Sequence, residues 1–559
     1  MSFMMTGEND SRSAEDLQRE PAAQPYLGKG LGESGDARQA QYYLKGYWRD
    51  DDLWSSIQAV AERNAERIAL IDGEASLTFA QILVEARAIA GGLQRLGVEP
   101  GHVVLIHARN TLQSSLALLA CACLGAVMTP VPPMFSAAQL SVICRSANAR
   151  LVIALGDERE VVSALEGARD AGCVEVIVVP DEHVSEMDAC SWSDLRSSLE
   201  DFPHQRIDAN ALALLVYSSG TTGAPKGVMH SANTVRYAIE QRARMHGVAA
   251  GDVSLVASQF GFVGSVVFGL LAGPLLGMTS VLMGAWNGDD AVRLIARHRV
   301  SYSLFMPTHV HDVLASSLLD GADVSSFQRC AMGGLTRERR LDVRRRLCPN
   351  PFPAYGMSEC LGFASCTPAD NDDLLLDCDG YPFPGTEVLI VDEAGLSVAT
   401  GMSGHILVRG PSRFLGYYGA ARISADAIDQ DGYFRTGDLG RLNESGGIHY
   451  VAREKDMIRR GGVTIVPGDL EAALAGHPRI EHVAVVGLPD ERLGERTCAC
   501  VITRDGGPLS LEDVRLHLER QGVARYTWPE RIELFESFPR SASLKVQKGV
   551  LVELLSRQP

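Results

Sequence analysis

The segment that spans residues 212–227 decides the fold that we expect for this chain. It reads Leu212-Ala-Leu-Leu-Val-Tyr217-Ser-Ser-Gly-Thr-Thr-Gly-Ala-Pro-Lys226-Gly227. The apolar run at its start is typical of a buried strand. The ten residues that follow hold three glycines, two serines, two threonines and one lysine. Such a loop can turn amides and hydroxyls toward phosphate oxygens, so the segment predicts a phosphate-binding loop after a buried strand.

Known glycine-rich loops do not fit this segment. The spacing Gly-x4-Gly-Lys-[Ser/Thr] of a Walker A loop cannot be placed on it, and it lacks the Gly-x-Gly-x-x-Gly dinucleotide fingerprint. The earlier glycine-rich stretch at 28–35 follows no predicted strand, so we discard it.

Strands and helices alternate on both sides of the loop. Short runs rich in Val, Ile and Leu predict buried strands at 68–71, 103–107, 151–154, 174–179, 212–217, 254–257, 281–283 and 302–305, and amphipathic segments such as 78–96 and 112–125 predict helices between them. This order predicts an α/β fold with doubly wound parallel sheets. Residues 380–450 have short, glycine-punctuated strands that suggest a small β-barrel-like part, and the mixed pattern after 453 suggests a compact α+β domain.

These patterns divide the chain into three parts. Residues 1–40, rich in Gly, Ser, Gln, Asp and Glu, are expected to be a disordered tail without a signal peptide. Residues 41–454 are expected to form one large domain, and residues 455–559 a small C-terminal domain.

Composition excludes several classes of protein. The 559 residues carry 52 basic and 69 acidic side chains, a net charge of −17, which argues against nucleic acid as a partner. Residues 253–286 hold no charged side chain, but their glycines and Pro274 favour a buried core over a membrane span. The twelve cysteines are scattered, as in a cytoplasmic protein with reduced thiols.

Seven motifs in a fixed order resemble those of the adenylate-forming superfamily of acyl-CoA synthetases, peptide-synthetase adenylation domains and beetle luciferases. They are the loop above, Ala354-Tyr-Gly-Met-Ser-Glu359, Gly404-His-Ile-Leu-Val-Arg-Gly410, Tyr433-Phe-Arg-Thr-Gly-Asp438, Arg453-Glu-Lys-Asp-Met-Ile-Arg-Arg-Gly-Gly462, Arg492-Leu-Gly-Glu495 and Pro539-Arg-Ser-Ala-Ser-Leu-Lys545. The resemblance covers about residues 45–555. The start, Tyr42-Tyr-Leu-Lys-Gly-Tyr-Trp-Arg49, is similar to the cyclohexanecarboxylate-CoA ligase-like branch.

The resemblance implies a two-step ligase that uses ATP, Mg²⁺ and coenzyme A. A carboxylic acid attacks the α-phosphate of ATP to give acyl-AMP and pyrophosphate, and the thiol of CoA then attacks the acyl carbon. The small domain rotates between the steps and changes the face that it presents to the site.

The resemblance also assigns roles to residues on the ATP side. Thr221 and Thr222, with Ser218, Ser219, Gly220 and Lys226, match the phosphate loop, and Tyr355, Gly356 and Gly334 match the adenine site. Ser358 keeps a hydroxyl for the α-phosphate, Glu359 matches the Mg²⁺ ligand, and Asp438 and Arg453 match the groups that hold the ribose.

Other matched residues belong to the small domain. Lys455 matches the hinge, and Gly461 and Gly462 match the glycines that border the pantetheine arm of CoA. Lys545 matches the lysine that enters the site for adenylation and stabilises negative charge, where loss of such a donor costs about 10²–10³ in rate.

Three departures from the family pattern all affect adenylation. Leu544 replaces a glycine before Lys545, Phe262 falls near the place of a histidine, and the segment Gly333-Gly334-Leu335-Thr336 is shorter than usual. A second hypothesis is therefore a non-adenylating ligase that converts acyl-AMP supplied by a separate adenylating enzyme. A third is a partner protein that binds acyl-AMP or CoA with little catalysis, and a fourth is a ligase that loads a carrier protein instead of free CoA.

The acyl pocket is expected to be apolar. Candidate lining residues are Phe260, Phe262, Val263, Gly264 and Met357, and no Asp stands in 258–265 to bind an amino group. This composition favours a bulky, nonpolar acid over an amino acid, although the same residues also suit a buried core.

Two histidine sites are left open by the sequence. His309 and His311 form a pair with metal-ligand character, but without a third ligand nearby in sequence we interpret both as structural. His230 follows the phosphate loop, and the sequence favours neither a structural nor a functional role for it.

Overall fold

The computed structural model describes residues 33–186, 189–196, 202, 204–218, 225–540 and 546–556. The strands in chain order are β1 (Ile68–Asp72), β2 (Ala75–Thr78), β3 (Val103–Ala108), β4 (Val127–Val131), β5 (Leu151–Leu155), β6 (Val176–Val179), β7 (Cys190–Ser191), β8 (Leu212–Ser218), β9 (Lys226–Ser231), β10 (Val253–Val256), β11 (Thr279–Leu282), β12 (Tyr302–Phe305), β13 (Arg329–Met332), β14 (Asn350–Met357), β15 (Leu361–Ser365), β16 (Tyr381–Pro382), β17 (Glu387–Val391), β18 (Gly404–Arg409), β19 (Phe434–Leu442), β20 (Ile448–Arg453), β21 (Ile458–Arg460), β22 (Val463–Ile465), β23 (Ile480–Asp490), β24 (Gly494–Thr503) and β25 (Arg531–Leu534).

The α-helices in chain order are α1 (Glu33–Leu44), α2 (Leu53–Arg63), α3 (Phe79–Arg95), α4 (Leu112–Leu124), α5 (Ala137–Ala147), α6 (Glu158–Ala171), α7 (Trp192–Arg196), α8 (Ala232–His246), α9 (Val263–Ser265), α10 (Ala272–Leu276), α11 (Gly288–His298), α12 (Pro307–Ala315), α13 (Arg337–Arg346), α14 (Asp372–Asp377), α15 (Ala421–Ala427), α16 (Pro467–Ala475), α17 (Leu511–Arg520) and α18 (Lys548–Ser556). A π-helical turn, Val266–Leu271, joins α9 to α10.

Two large sheets form the greater part of the molecule. One has the order β7-β6-β5-β3-β4-β8-β9 and is parallel except for β9, and the other has the order β16-β15-β14-β13-β12-β10-β11-β1-β2 with antiparallel strands at its two edges. The expected doubly wound α/β fold is confirmed, because helices cover both faces of each sheet.

The alternation of side chains along β3 shows how the layers are built. Successive residues on a strand point to opposite faces. Val104 and Ile106 join a core between the two sheets with α2, α3, α4 and α8, whereas Val103 and Leu105 join the core beneath α5 and α6. A strand buried on both faces is apolar at most positions, which is why the sequence shows long apolar runs there.

Two smaller sheets complete the chain. The region expected to be β-barrel-like is an antiparallel sheet with the order β17-β18-β19-β20, and the C-terminal region forms a mixed sheet with the order β22-β21-β24-β23 in which β25 pairs with β24. A single turn of 3₁₀ helix, Glu454–Asp456, connects β20 of the first of these sheets to β21 of the second.

The uncharged stretch 253–286 folds as part of the core. It forms β10, the π-helical turn, α10 and β11, and the side chains of Val267, Leu271 and Met278 are fully buried. In the part of the chain that the structure describes, no helix combines the length and the apolar character needed to cross a membrane.

The structure changes the expected boundary of the N-terminal tail. Residues 33–40 belong to α1, and the tail prediction for residues 1–32 lies outside the described residues. The rings of Tyr42 and Tyr43 at the end of α1 pack edge-on against the buried Trp48, which ties this helix to the fold. All twelve cysteines are free thiols, and ten of them are buried.

Candidate active site

The strands on either side of the phosphate loop are placed as expected. β8 and β9 pair antiparallel, with Tyr217 opposite Gly227 and Ser218 opposite Lys226. The Tyr217 hydroxyl lies 2.7 Å from the Ser146 hydroxyl, which fixes the base of this hairpin against α5. The loop residues Ser219, Gly220, Thr221 and Thr222 lie outside the described residues, so their phosphate contacts stay a prediction.

Lys226, Tyr417 and Glu359 form a chain of contacts beside this hairpin. The Lys226 ammonium lies 5.2 Å from the centre of the Tyr417 ring, and the Tyr417 hydroxyl donates a 2.9 Å hydrogen bond to Glu359 Oε1. Burial raises the pKa of Tyr417, and the Glu359 carboxylate raises it further, so this hydroxyl stays protonated and donates. One tyrosine thereby contacts a cation through its ring and a carboxylate through its hydroxyl.

Tyr417 was not among the residues chosen from the sequence. The segment 414–418 runs beside β9: Leu415 N–H donates to Met229 O, Met229 N–H donates to Gly416 O, and Tyr418 N–H donates to Gly227 O. Backbone pairing between segments nearly 200 residues apart therefore places the tyrosine, and no local pattern in Gly416-Tyr-Tyr418 signals it.

Tyr355, Asp438 and Arg453 form a second cluster. The Tyr355 hydroxyl donates to Asp438 Oδ2 at 2.7 Å, and Arg453 Nε lies 2.9 Å from Asp438 Oδ1. The Asp438 side chain is 2% exposed, whereas that of Arg453 is 37% exposed. Burial lowers the pKa of Arg453, but Asp438, Tyr450, Tyr355 and Glu359 together outweigh this effect and leave the pKa above its ordinary value. Each carboxylate oxygen has two lone pairs, so Asp438 retains acceptor capacity for the hydroxyls of a sugar.

Gly356 is required by a neighbouring part of the chain. A Cβ at this position would collide with the carbonyl oxygen of Leu361 and lie 2.8 Å from Gly362 Cα. The strand pairing has a bulge between Tyr355 and Gly356, and Leu361 adopts a left-handed conformation with φ of 55°. The family resemblance assigns Gly356 to the adenine site, which stays a prediction, and the close approach seen here is with the backbone of β15.

His230 has a positioning role. It is completely buried, and its Nε2–H donates to the carbonyl oxygen of Ser358 at 2.7 Å. Burial lowers its pKa to about 4, so the ring is neutral near pH 7 and one nitrogen can accept while the other donates. His230 thus links β9, which leaves the phosphate loop, to the segment that carries Ser358 and Glu359.

The residues chosen for the acyl pocket separate into two groups. Phe260 is 1% exposed and belongs to the core between the two large sheets, so its side chain is part of that core. Phe262, Val263, Gly264 and Met357 are half-buried. The buried Asn110 anchors this segment, because its amide donates to Ser258 O and its Oδ1 accepts from the Ser265 hydroxyl.

Gly334 lies at the end of β13 with φ of 65°, a conformation that side chains with a Cβ rarely adopt. It is exposed, and a Cβ there would come to 3.8 Å from Pro307 at the start of α12.

The residues matched to the small domain lie in exposed turns or outside the described residues. Gly461 and Gly462 form an exposed turn between β21 and β22, and Lys455 is exposed in the turn that follows β20. Burial and the nearby Arg453 lower the pKa of Lys455. Lys545 and Leu544 lie outside the described residues, and the flanking Arg540 and Val546 form an antiparallel bridge.

Comparison with known proteins agrees with this architecture. The AMP-binding enzyme family model matches residues 57–418, and the model of the AMP-binding enzyme C-terminal domain matches residues 469–545. The chain therefore belongs to the AMP-binding enzyme family, as the motif order predicts.

Relatives span nearly its whole length. It is 29% identical over 533 residues to a medium-chain fatty-acid–CoA ligase of Escherichia coli, which covers 94% of each chain. It is 31% identical over 539 residues to the salicyl-AMP ligase / salicyl-S-ArCP synthetase of Mycobacterium tuberculosis, covering 93% of each. The solved structure of an anthranilate CoA ligase with anthranoyl-AMP matches with a TM-score of 0.81 at 22% identity, over 91% of this chain and 97% of that one.

These findings define the class of enzyme. The chain is an AMP-forming acid–thiol ligase of the acyl-CoA synthetase type, which acts on an acyl or aryl acid through its acyl-adenylate. ATP and CoA are its co-substrates.

Proposed function

We propose that this ligase carries out both half-reactions on a bulky, apolar carboxylic acid. The observation that carries the proposal is the pair of clusters described above. The Lys226–Tyr417–Glu359 chain and the Tyr355–Asp438–Arg453 cluster hold two cations, two carboxylates and two neutral hydroxyls by specific contacts. An enzyme that only consumed preformed acyl-AMP would not need Lys226 and Glu359 in the roles that we propose for them, toward the β- and γ-phosphates and their Mg²⁺.

In the first step, a carboxylate oxygen of the acid attacks the α-phosphorus of ATP. An acyl–oxygen–phosphorus bond forms, and the bond to pyrophosphate breaks. Lys226 would stabilise negative charge on the departing phosphates, and Asp438 would hold the ribose hydroxyls while Arg453 pairs with that carboxylate. Lys545 would offset charge on the attacking carboxylate and the α-phosphate.

Glu359 fits the role of a Mg²⁺ ligand. It is half-buried, and its Oε1 is oriented by the Tyr417 hydroxyl, so its other oxygen can face a cation at a defined position. Mg²⁺ is usually held by one or two carboxylates together with phosphate oxygens and water. The ion would neutralise charge on the phosphates.

In the second step, the thiol sulfur of CoA attacks the acyl carbon. A carbon–sulfur bond forms, the bond from the acyl carbon to the AMP oxygen breaks, and the thiol proton is released. Gly461 and Gly462 would border the thiol arm after the small domain rotates about Lys455. The exposure of these glycines here is consistent with an arrangement that precedes this step.

The acid is proposed to be apolar and bulky. Phe262, Val263 and Met357 have half-buried apolar side chains, Gly264 adds a small residue after Val263, and Asn110 anchors the 258–265 segment. The relatives named above act on a fatty acid and on an aromatic acid. Both kinds of acid have an apolar body and one carboxylate, which is the shape that we propose for the substrate.

The acceptor is proposed to be free CoA, with a carrier protein as the second candidate. One relative with 31% identity is named as a synthetase for an acylated carrier protein as well as an AMP ligase. The two acceptors present the same thiol arm, so they differ only in the surface around the entrance.

Measuring the half-reactions separately tests the proposal. Purified protein receives a panel of fatty and aromatic acids with ATP and Mg²⁺, and pyrophosphate exchange is measured. In parallel, synthetic acyl-AMP is supplied with CoA or with a phosphopantetheinylated carrier protein, and thioester is measured. Activity in both assays supports a complete ligase. Thioester without exchange would instead establish the non-adenylating ligase and point to a separate adenylating enzyme.

The variant Leu544→Gly sharpens this test. If Lys545 is already well placed, restoring the family glycine leaves the exchange rate unchanged. A gain of about 10²–10³, the size of the effect of one preorganised donor, would show that Leu544 suppresses adenylation. Binding of acyl-AMP without turnover in either assay would favour the partner-protein hypothesis.

A further inference from the structure

Three side chains with metal-ligand chemistry meet where the large part of the molecule faces the C-terminal region. They are His311 on α12 and Glu481 and His482 at the start of β23. One ligand atom from each lies within 4.8 Å of the other two, and the His311 and His482 rings are 5.4 Å apart between their centres. The two histidines are half-buried and Glu481 is exposed.

The local backbone explains why two consecutive residues of β23 face the same partner. In a regular strand, Glu481 and His482 would point to opposite faces. The pairing of β23 with β24 shifts between Ile480 and His482, which leaves Glu481 as the extra residue of a β-bulge. Bulges re-aim side chains in this way, and here both side chains reach toward His311.

We propose that His311, Glu481 and His482 bind a divalent transition-metal ion of the Zn²⁺ class. Two imidazoles and one carboxylate form a common set of zinc ligands, with water as a fourth. Ligand atoms around tetrahedral zinc are about 3.4 Å apart, given metal–ligand distances near 2.1 Å. The present separations of up to 4.8 Å therefore need only small side-chain rotations to close around an ion.

His309, two residues before His311, does not take part. Its ring lies 4.1 Å from the Trp286 ring and is buried, and its Nδ1 accepts from the Met306 backbone N–H. The contacts of His309 agree with the structural role that we predict for the His309–His311 pair. The neighbours of His311 come instead from a segment 170 residues further along the chain.

The surrounding charges define the site further. Burial and the neighbouring His311 and Arg540 lower the pKa of His482, and the carboxylates of Glu481 and Asp312 only partly oppose them. Because Asp312 Oδ2 accepts from Trp286 Nε1 at 2.7 Å, that carboxylate is held beside the site as an outer neighbour.

Such an ion would join two parts of the chain that must separate. His311 belongs to the large domain, and Glu481 and His482 belong to the small one. This consequence rests on the proposed rotation about Lys455: the ion would hold the arrangement seen here, in which Gly461 and Gly462 are exposed, and would slow the step that needs them at the site.

Direct metal binding by the full-length protein tests the site without reference to activity. Zn²⁺ titration by calorimetry and the visible absorption of bound Co²⁺ are compared for the wild type, His311→Ala, Glu481→Gln and His482→Ala. Alanine is compatible with a helix and glutamine with an exposed strand position, so these variants keep the fold. We expect each to lose more than about 10-fold in Zn²⁺ affinity, the least effect that loss of an outer-shell partner produces.

His517→Ala is the matched control. His477 and His517 form another histidine pair, 5.0 Å between ring centres, but both belong to the C-terminal region. This variant should bind Zn²⁺ as the wild type does. Equal affinity of the wild type and His311→Ala would overturn the proposal, as would loss of binding in His517→Ala alone.

Tryptic cleavage after Lys455 tests the joining of the two parts. Zn²⁺ should protect this bond in the wild type but not in His311→Ala, and equal protection in both would overturn the bridging role. Zn²⁺ should also inhibit thioester formation more than pyrophosphate exchange in the wild type. Because binding and proteolysis need no substrate, absence of ligase activity would contradict the proposed function and leave the site testable.

Discussion

Asp438 and Arg453 lie directly opposite each other on the antiparallel strands β19 and β20, with Arg453 Nε 2.9 Å from Asp438 Oδ1. On the other side of the same carboxylate, the Tyr355 hydroxyl donates to Oδ2. The register of one sheet therefore orients both oxygens of a buried acid at the place where the family motifs predict the ribose.

The variant Asp438→Asn tests this arrangement. We expect the KM for ATP in pyrophosphate exchange to rise by about 10–100-fold, since a hydrogen bond to a charged group is worth about 1.5–3 kcal/mol. Arg453 is 37% exposed, so solvent can stabilise its charge once the carboxylate is gone. The free energy of unfolding should therefore fall by less than the 3–5 kcal/mol, roughly, that is typical of a broken buried ion pair.

Glu387→Gln is the matched control for this variant. Glu387 and Arg409 also lie directly opposite each other, on β17 and β18 of the same sheet, with a 2.6 Å ion pair. Glu387 is 53% exposed and lies outside both clusters, so ATP kinetics should not change. An equal rise of KM in both variants would mean that Asp438 acts only through the sheet.

The variant Tyr417→Phe tests the contact with Glu359. It keeps the ring beside Lys226 but removes the hydroxyl that orients the carboxylate. We expect the Mg²⁺ concentration needed for half-maximal exchange to rise, with a fall in rate of about 10-fold. Titration of exchange activity with Mg²⁺ at saturating ATP measures both effects.

Tyr433→Phe provides the comparison, because Tyr433 has the same pattern of contacts elsewhere. Its ring lies 4.1 Å from the Arg409 guanidinium, and its hydroxyl donates to Glu387 at 3.2 Å. If the Mg²⁺ dependence shifted equally in Tyr433→Phe, the role assigned to Tyr417 would be wrong.

The variant Gly356→Ala should destabilise the protein. The added methyl group would meet the Leu361 carbonyl oxygen, so β14 or β15 must shift. Overpacking of this kind costs about 1–3 kcal/mol, which thermal or urea unfolding would measure. Gly321→Ala, where a Cβ would meet nothing within 4 Å, should leave stability almost unchanged, and the same loss in both variants would contradict the steric argument.

The free energy of unfolding should depend on pH in a way that reports the buried histidines His230 and His107. Burial lowers the pKa of His230 and of His107 to about 4, while an unfolded histidine keeps a pKa near 6.5. Between these values the unfolded chain binds more protons, so stability falls as pH drops from 6.5 to 4. Each such histidine contributes a slope of about 1.4 kcal/mol per pH unit.

His230→Gln should reduce this slope by the contribution of one histidine, about 1.4 kcal/mol per pH unit. Urea unfolding at several pH values between 4 and 6.5 measures it, with His183→Gln, in the 3₁₀ turn Asp181–Glu186, as the control. An unchanged slope in His230→Gln would show that His230 is protonated in the folded protein or does not titrate in this window.

Local patterns predicted most of the fold, because strands buried on both faces leave unbroken apolar runs. The runs at 103–107 and 151–154 correspond to β3 and β5. The motifs also predicted Asp438 and Arg453, which the register pairs. Tyr417 was not predicted, because a backbone pairing with β9 places it. Phe260 was assigned to a pocket because an apolar residue in the sequence fits a pocket wall and a buried core equally well.

His311 shows the same limit for a site made of distant segments. His311 lies on helix α12, whereas Glu481 and His482 lie on β23 and face it through a bulge, and a bulge leaves no mark in an alternating sequence. The spacing of residues along the chain therefore could not predict that His311 lies close to Glu481 and His482.

The turn Glu454–Asp456 begins one residue after Arg453, the residue that contacts Asp438. If the chain pivots at Lys455, displacement grows with distance from that axis. The nucleotide would then lie close to the rotation axis and move little. Gly461 and Lys545 would be displaced further, because they are farther from that axis along the chain. One bound adenylate could thus stay still as two different reagents are brought to it in turn.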